Sequence, residues 1–130
     1  MTAKQLSLVH EEITRSIISA FFHVYNTLGY GFLESVYSAA LTKVLRDRGH
    51  IVEREVRVVI RFEGEVIAIQ RMDMLVDRKV IVENKAGDRL AIINREQLFN
   101  YISATEYEVG LLLHFGPKPT FERVYSPNTP

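Results

Sequence analysis

Asp73 and the run Glu83-Asn84-Lys85 place two carboxylates and one amine in a stretch that otherwise reads as core. Around them stand Met72, Met74, Leu75 and Val76, then Val80, Ile81 and Val82, apolar and largely β-favouring runs separated by the polar turn Asp77-Arg78-Lys79. A turn centred on Arg78 sets Asp73 directly across from Glu83. Side chains alternate along a strand, so Glu83 and Lys85 share a face, and in that register Asp73 joins them. A two-residue turn would shift the register by one and separate the group. Two carboxylates held about 5 Å apart at their Cβ atoms repel each other unless a cation sits between them. Oxygen ligands of this kind suit Mg²⁺ or Mn²⁺. A lysine one strand repeat further on orients a water or balances charge on a phosphate. The bare spacing is equally open to a surface hairpin with a cross-strand ion pair.

Two helical pairs stand where such a hairpin would need help. In Gly31-Phe32-Leu33-Glu34-Ser35-Val36-Tyr37, Glu34 and Tyr37 lie three apart, on neighbouring positions of one helix face. Taken alone, Glu34 is an ordinary first-turn carboxylate, worth about 0.3 to 1 kcal/mol at a helix N-terminus. Gln97 and Tyr101 lie four apart and also share a face, where the plain alternative is a half-buried amphipathic pair. Polar clusters from a helix, a hairpin and another helix exceed what a core requires.

The elements that must position these residues run helices first, sheet second. Ile13, Ile17, Phe21, Val24 and Leu28 recur at helical spacing over about Ser7 to Leu28, and Gly29-Tyr30-Gly31 breaks the run. A second helix is expected from Leu33 to Arg48, with Val36, Ala40, Val44, Leu41 and Leu45 inward and Gly49 closing it. Strands Ile51 to Phe62 and Glu65 to Val76 follow, joined at Glu63-Gly64. In the first, Val52, Val56, Val58 and Ile60 read as one face, and Glu53, Glu55, Arg57 and Arg61 as a solvated one. A third strand covers Lys79 to Lys85, a helix Ile93 to Ala104, and a nearly all-apolar, central strand Glu108 to His114. Phe121 to Tyr125 adds an edge strand, with Pro117 and Pro119 in loops and 126–130 a flexible tail. The order ααβββαβ(β) predicts an α/β sandwich with a mixed sheet.

The 130 residues, 47% of them hydrophobic, make a single domain with one core. Net charge is zero, which argues against gripping long nucleic acid through phosphates alone. The absence of cysteine excludes disulfides, thiolate zinc sites and cysteine nucleophiles. His10, His23, His50 and His114 show no metal-ligand spacing and read as structural or surface residues. Met1 to Ser7 lacks a signal pattern, and runs such as Val109 to Leu113 are too short to span a bilayer, so a cytoplasmic protein without membrane contact is expected.

Gly31, Glu34 and Tyr37 spell G-x-x-E-x-x-Y, and here the chain resembles the GxxExxY proteins. The likeness runs from about Ile13 through Phe115 and takes in Asn26-Thr27-Leu28-Gly29, Asp73, Glu83-x-Lys85, Gln97 and Val109-Gly110-Leu111-Leu112. That family is similar to a branch of the PD-(D/E)xK superfamily, with the restriction-endonuclease-like fold. The resemblance implies that Asp73 and Glu83 bind a divalent metal, Mg²⁺ or Mn²⁺, that Glu34 completes the metal site, and that Lys85 assists the attacking water. Gln97-Leu98-Phe99-Asn100-Tyr101 resembles the Q-x-x-x-Y element of RecB-type nucleases, which borders the site. Two departures stand out: Arg71-Met72 precede Asp73 where a proline or small residue is usual, and Asn84 fills a position usually apolar.

The expected function is metal-assisted phosphodiester hydrolysis of nucleic acid, with Gln97 and Tyr101 fixing the lysine or contacting the backbone. The alternative is a non-catalytic nucleic-acid-binding or assembly module that keeps the fold. A junction-resolvase-like dimer fits the size but predicts a more basic surface. A homo-oligomer is expected as well, since a short neutral chain covers little nucleic acid alone. Ile18, Phe22 and Tyr25, off the main stripe of the first helix, and the edge 121–125 are its candidate surfaces.

Overall fold

Among the described residues, five strands form one sheet in the order β1-β2-β3-β4-β5, and three helices cover its two faces. The computed structural model describes residues 9–127. Along the chain run α1 (Glu11–Leu28), α2 (Glu34–Asp47), β1 (Val52–Phe62), β2 (Glu65–Val76), β3 (Val80–Ala86), α3 (Ile92–Ser103), β4 (Val109–Phe115) and β5 (Pro119–Tyr125). The expected order holds, and the sheet is mixed because only β3 and β4 pair in parallel, joined by the α3 crossover. The start expected at Ser7 for the first helix lies outside the described residues, as does 128–130 of the expected tail. Ser126 is not free of the fold, since its N–H donates to the Glu108 carbonyl at 2.9 Å. Pro119 belongs to a strand rather than a loop, opening edge strand β5, where a missing N–H is least costly. Among the described residues, no helix is long and apolar enough to cross a membrane.

Two cores sandwich the sheet. One gathers Ile17, Phe21 and Val24 of α1 and Tyr37, Leu41 and Leu45 of α2 on Met74, Val82, Leu111 and Phe115. The other sets Leu98, Tyr101 and Ile102 of α3 on Met72, Leu75, Ile81 and Leu112. Strand β4 is buried along its whole length, as its unbroken apolar run requires, and lies inside the sheet between β3 and β5. Gly110 lets α3 approach, for a Cβ there would stand 2.7 Å from Leu98 Cδ1 and 3.3 Å from the Ile81 carbonyl oxygen.

Three expectations need correction. The inward stripe of α2 is Tyr37, Leu41 and Leu45 with the polar Ser38 and Thr42, whereas Val36 is exposed. Leu41 and Leu45 are buried and Ala40 and Val44 pack against the core as expected; what the hydrophobic pattern missed is that Tyr37 and two hydroxyls, Ser38 and Thr42, face inward too. The valines of β1 do not share a face either: Val52 packs with α1 and α2, but Val56, Val58 and Ile60 pack with α3. Glu55 between them has φ 55°, and this half-turn breaks the alternation. Finally, Ile18, Phe22 and Tyr25 pack within the chain: the Phe22 ring meets Phe121 edge-on at 6.1 Å, and the Tyr25 hydroxyl donates to the Gly116 carbonyl at 2.7 Å.

His50 also proves structural. Its Nε2 meets Ser16 Oγ and its Nδ1 meets Asp77 Oδ2, both at 2.7 Å, and Asp77 Oδ1 accepts from the Ile51 N–H. One imidazole thereby ties α1 to the β2–β3 turn.

Candidate active site

Strands β2 and β3 pair as Val76↔Val80, Leu75↔Ile81 and Met74↔Val82, a three-residue turn centred on Arg78. The next step of that register sets Asp73 opposite Glu83, and there the backbone ladder stops. Side chains take over. The Asp73 N–H donates to Glu83 Oε1 at 2.8 Å, and the Asn84 N–H donates to Asp73 Oδ2 at 3.1 Å. Each carboxylate therefore satisfies a backbone donor of the opposite strand that the ladder has released.

The strand opens here because β2 rotates. Met72 packs on the α3 face and Met74 on the opposite one, although residues two apart in a regular strand share a face. The half-turn at Asp73 matches the one at Glu55, and the β1–β2 register skips both residues between Arg54↔Met74 and Val56↔Met72. As a result the Asp73 carboxylate turns toward Ser38 of α2, whose Oγ donates to its Oδ2 at 3.4 Å.

Glu83 is 4% exposed, between Ile81 below and Lys85 above on the α3 face. Burial pushes its carboxyl up from 4.5 to about 7, with the charges of Asp73 and Glu34 adding to the rise and the Asp73 N–H and Lys85 opposing it. Glu34, first residue of α2, is raised too, chiefly by burial and then by Asp73, against Lys85 and the Ala86 N–H. The Tyr101 hydroxyl is raised by burial and by the charges of Glu83 and Asp73, so it stays a donor beside the acids. The structure thus brings Asp73, Glu83, Lys85, Glu34 and Tyr101 into mutual electrostatic range. Gln97, one turn before Tyr101, is half-buried, and no hydrogen bond among the described residues ties it to the acids.

Tyr37 plays a different part from its motif partner Glu34. It is fully buried, stacked on Phe115 at 4.3 Å, and its hydroxyl donates to the Gly29 carbonyl at 2.6 Å while accepting from the Phe32 N–H at 3.2 Å. Gly31 between these two anchors has φ 113°, a region closed to other residues without strain. The spacing G-x-x-E-x-x-Y is therefore a clamped turn that delivers Glu34 to the end of β3.

Three residues around Asp73 escaped the motif reading. Asn84 is completely buried, with its Nδ2 donating to Ser38 Oγ at 3.2 Å and its Oδ1 without a partner. Arg54 reaches Thr42 Oγ1 at 3.2 Å and stands 3.9 Å from Asp73 Oδ1. For Arg54 and Ser38 the sequence held a signal. Arg54 shares the parity of Val52, which predicts an inward arginine, and Ser38 lies one helical turn beyond Glu34.

The donor set is that of a hard divalent cation: Glu83 and Glu34 feel the charge of Lys85, Asp73 pairs with Arg54 at 3.9 Å, and Glu83 is almost wholly buried. Among the described residues, however, no three acidic or histidine side chains are gathered closely enough to hold a metal ion. Asp73 and Glu83 each spend one oxygen on the opposite backbone and keep a second.

A family model described as the PD-(D/E)XK nuclease superfamily matches residues 11–124. No curated protein and no solved structure matches the chain.

Proposed function

We propose, from the premise that this chain belongs to the PD-(D/E)XK nuclease superfamily, that it is a divalent-metal-dependent nuclease hydrolysing phosphodiester bonds of nucleic acid. The observation that supports this most is the opened ladder, where Asp73 and the buried Glu83 stand on adjacent strands, each accepting a backbone N–H from the other's strand, with Lys85 and Glu34 in electrostatic reach of Glu83. Within the superfamily we place it in the GxxExxY branch, since Gly31, Glu34 and Tyr37 form one working unit. Asp73, Glu83 and Glu34 would hold Mg²⁺ or Mn²⁺, which supplies an acidified water and neutralises phosphate charge. Lys85 holds the attacking water or a phosphate oxygen through its ammonium. Tyr101 donates its hydroxyl to the same region, and Gln97 lies one turn outward for the nucleic-acid backbone. Ser38 and Asn84 keep Asp73 turned toward β3.

Self-association belongs to the same reading, on a different surface from the first helix. The β1–β2 arm exposes Val59, Phe62, Val66, Ile67 and Ile69, which a second copy would cover. Sedimentation at micromolar concentration reads this directly, and a mass of 15.0 kDa throughout ends it.

The test of function incubates the full chain with single- and double-stranded DNA and RNA in Mg²⁺ or Mn²⁺. Cleavage should vanish in EDTA and fall by about 10²- to 10³-fold in Lys85→Ala. Nucleic-acid binding without any cleavage would instead favour the non-catalytic module.

A further inference from the structure

Two half-exposed aromatic rings stand in the turn that delivers Glu34 to the carboxylate cluster. Tyr30 and Phe32 lie in the clamped turn that leads into Glu34, and each is 45% exposed. Tyr30 leaves its own turn to donate its hydroxyl to Asp88 Oδ1, three residues beyond Lys85. It therefore bridges the two loops on either side of the acids. The Phe32 ring meets Tyr37 edge-on at 6.1 Å and 88°, and its N–H is held by the Tyr37 hydroxyl, so it is fixed without being buried. Leu33, the residue that caps α2, continues this exposed apolar run at 74% exposure. Rings held in place yet left open to solvent beside the acids offer a flat apolar surface on which a ligand of like shape can dock.

We propose that Tyr30 and Phe32 are stacking platforms for unpaired bases, so that the site takes single-stranded nucleic acid in preference to duplex. This deepens the nuclease reading and rests on it for the position of the phosphate. Every base offers a π-face, and stacking on protein rings needs no phosphate excess, which suits a neutral chain. In a duplex the base faces are covered by their neighbours, so the rings have nothing to hold. Lys85 and Arg89 flank Asp88, the partner of Tyr30, in sequence, enough for only two or so phosphate contacts. The salt dependence on single strands should accordingly be shallow, with a slope of about −1.4 in log K against log salt.

The test measures anisotropy of labelled (dT)20, (rU)20 and a blunt DNA duplex with the full chain, in EDTA so that nothing is cut. A single strand should bind at least about tenfold tighter than duplex, and the better of the two single strands names the sugar. Tyr30→Ala and Phe32→Leu should each weaken single-strand binding by about fivefold or more and leave duplex binding unchanged. Tyr30→Phe, which keeps the ring and loses only the Asp88 contact, should bind within about twofold of the unaltered protein. Phe32→Leu preserves apolar volume, and circular dichroism checks its fold; should it fail to fold, Tyr30→Ala on its own decides. Equal or tighter duplex binding, or ring variants that bind single strands normally, would overturn the proposal. Ring-dependent binding with no hydrolysis when Mg²⁺ is restored would keep the platform and end the nuclease reading; metal-dependent cutting of duplex indifferent to the rings would do the reverse.

Discussion

Replacing Glu83 by glutamine should make the metal-free protein more stable, and only above mildly acidic pH. Burial and the neighbouring Asp73 and Glu34 raise this carboxyl from 4.5 to about 7, so the folded state keeps a proton that the unfolded chain releases. A raised acid contributes its stability in full below its unfolded value and loses it as pH climbs through the folded one. At about 1.4 kcal/mol per pH unit, the gap between the two values is worth about 3 kcal/mol. Glutamine copies the protonated form, and its side-chain oxygen still accepts from the Asp73 N–H. The advantage of Glu83→Gln over the unaltered chain should therefore be near zero at pH 4 and grow to about 3 kcal/mol by pH 8.5. Urea unfolding in EDTA, followed by circular dichroism at half-unit pH steps, gives that curve. A stability difference that stays flat across the range would refute the argument, because a Glu83 without a raised carboxyl has no such linkage.

Three further outcomes follow from the same geometry. Millimolar Mg²⁺ or Mn²⁺ should stabilise the unaltered protein at pH 8 by up to about 2.7 kcal/mol at a hundredfold excess over the dissociation constant, read as a rise in melting temperature that Asp73→Ala should abolish. Gly110→Ala should cost about 1 to 3 kcal/mol in urea unfolding, since the added methyl meets Leu98 and Ile102 and, at 3.3 Å, a backbone carbonyl that cannot give way. At Asp77, burial raises the carboxyl, but the His50 hydrogen bond, the Ile51 N–H and the charges of His50 and Lys79 together hold it below 3.8. Its contribution is present above that value and lost as pH falls through the folded one. Asp77→Asn should consequently cost about 1 kcal/mol at pH 7, the modest figure reflecting partial exposure, and progressively less as pH falls through the folded value, both read by unfolding titrations.

The register of the acidic hairpin was legible in the sequence because it depends on short-range rules. Alternation has a period of two, the turn between Val76 and Val80 is three residues long, and together these oppose Asp73 to Glu83 without reference to the rest of the chain. Element order was legible for the same reason, as was the turn before Glu34, where glycines end one helix and a carboxylate starts the next. What only the tertiary structure decided is how the acids are turned. The half-turns at Glu55 and Asp73 are paired across two strands, and neither residue type announces them, so a strict alternation misplaced Val52 relative to Val56. The Ser38, Asn84 and Arg54 network exists because α2 packs across both β3 and β1, which is why hydrophobicity missed the inward hydroxyls of α2 and Asn84 looked out of place. The spare apolar residues of α1 were spoken for by a contact 91 residues away, between Tyr25 and Gly116. Periodicity reports which side of an element is apolar; which partner covers it is settled only when distant segments close on one another, and that closure has no local signature.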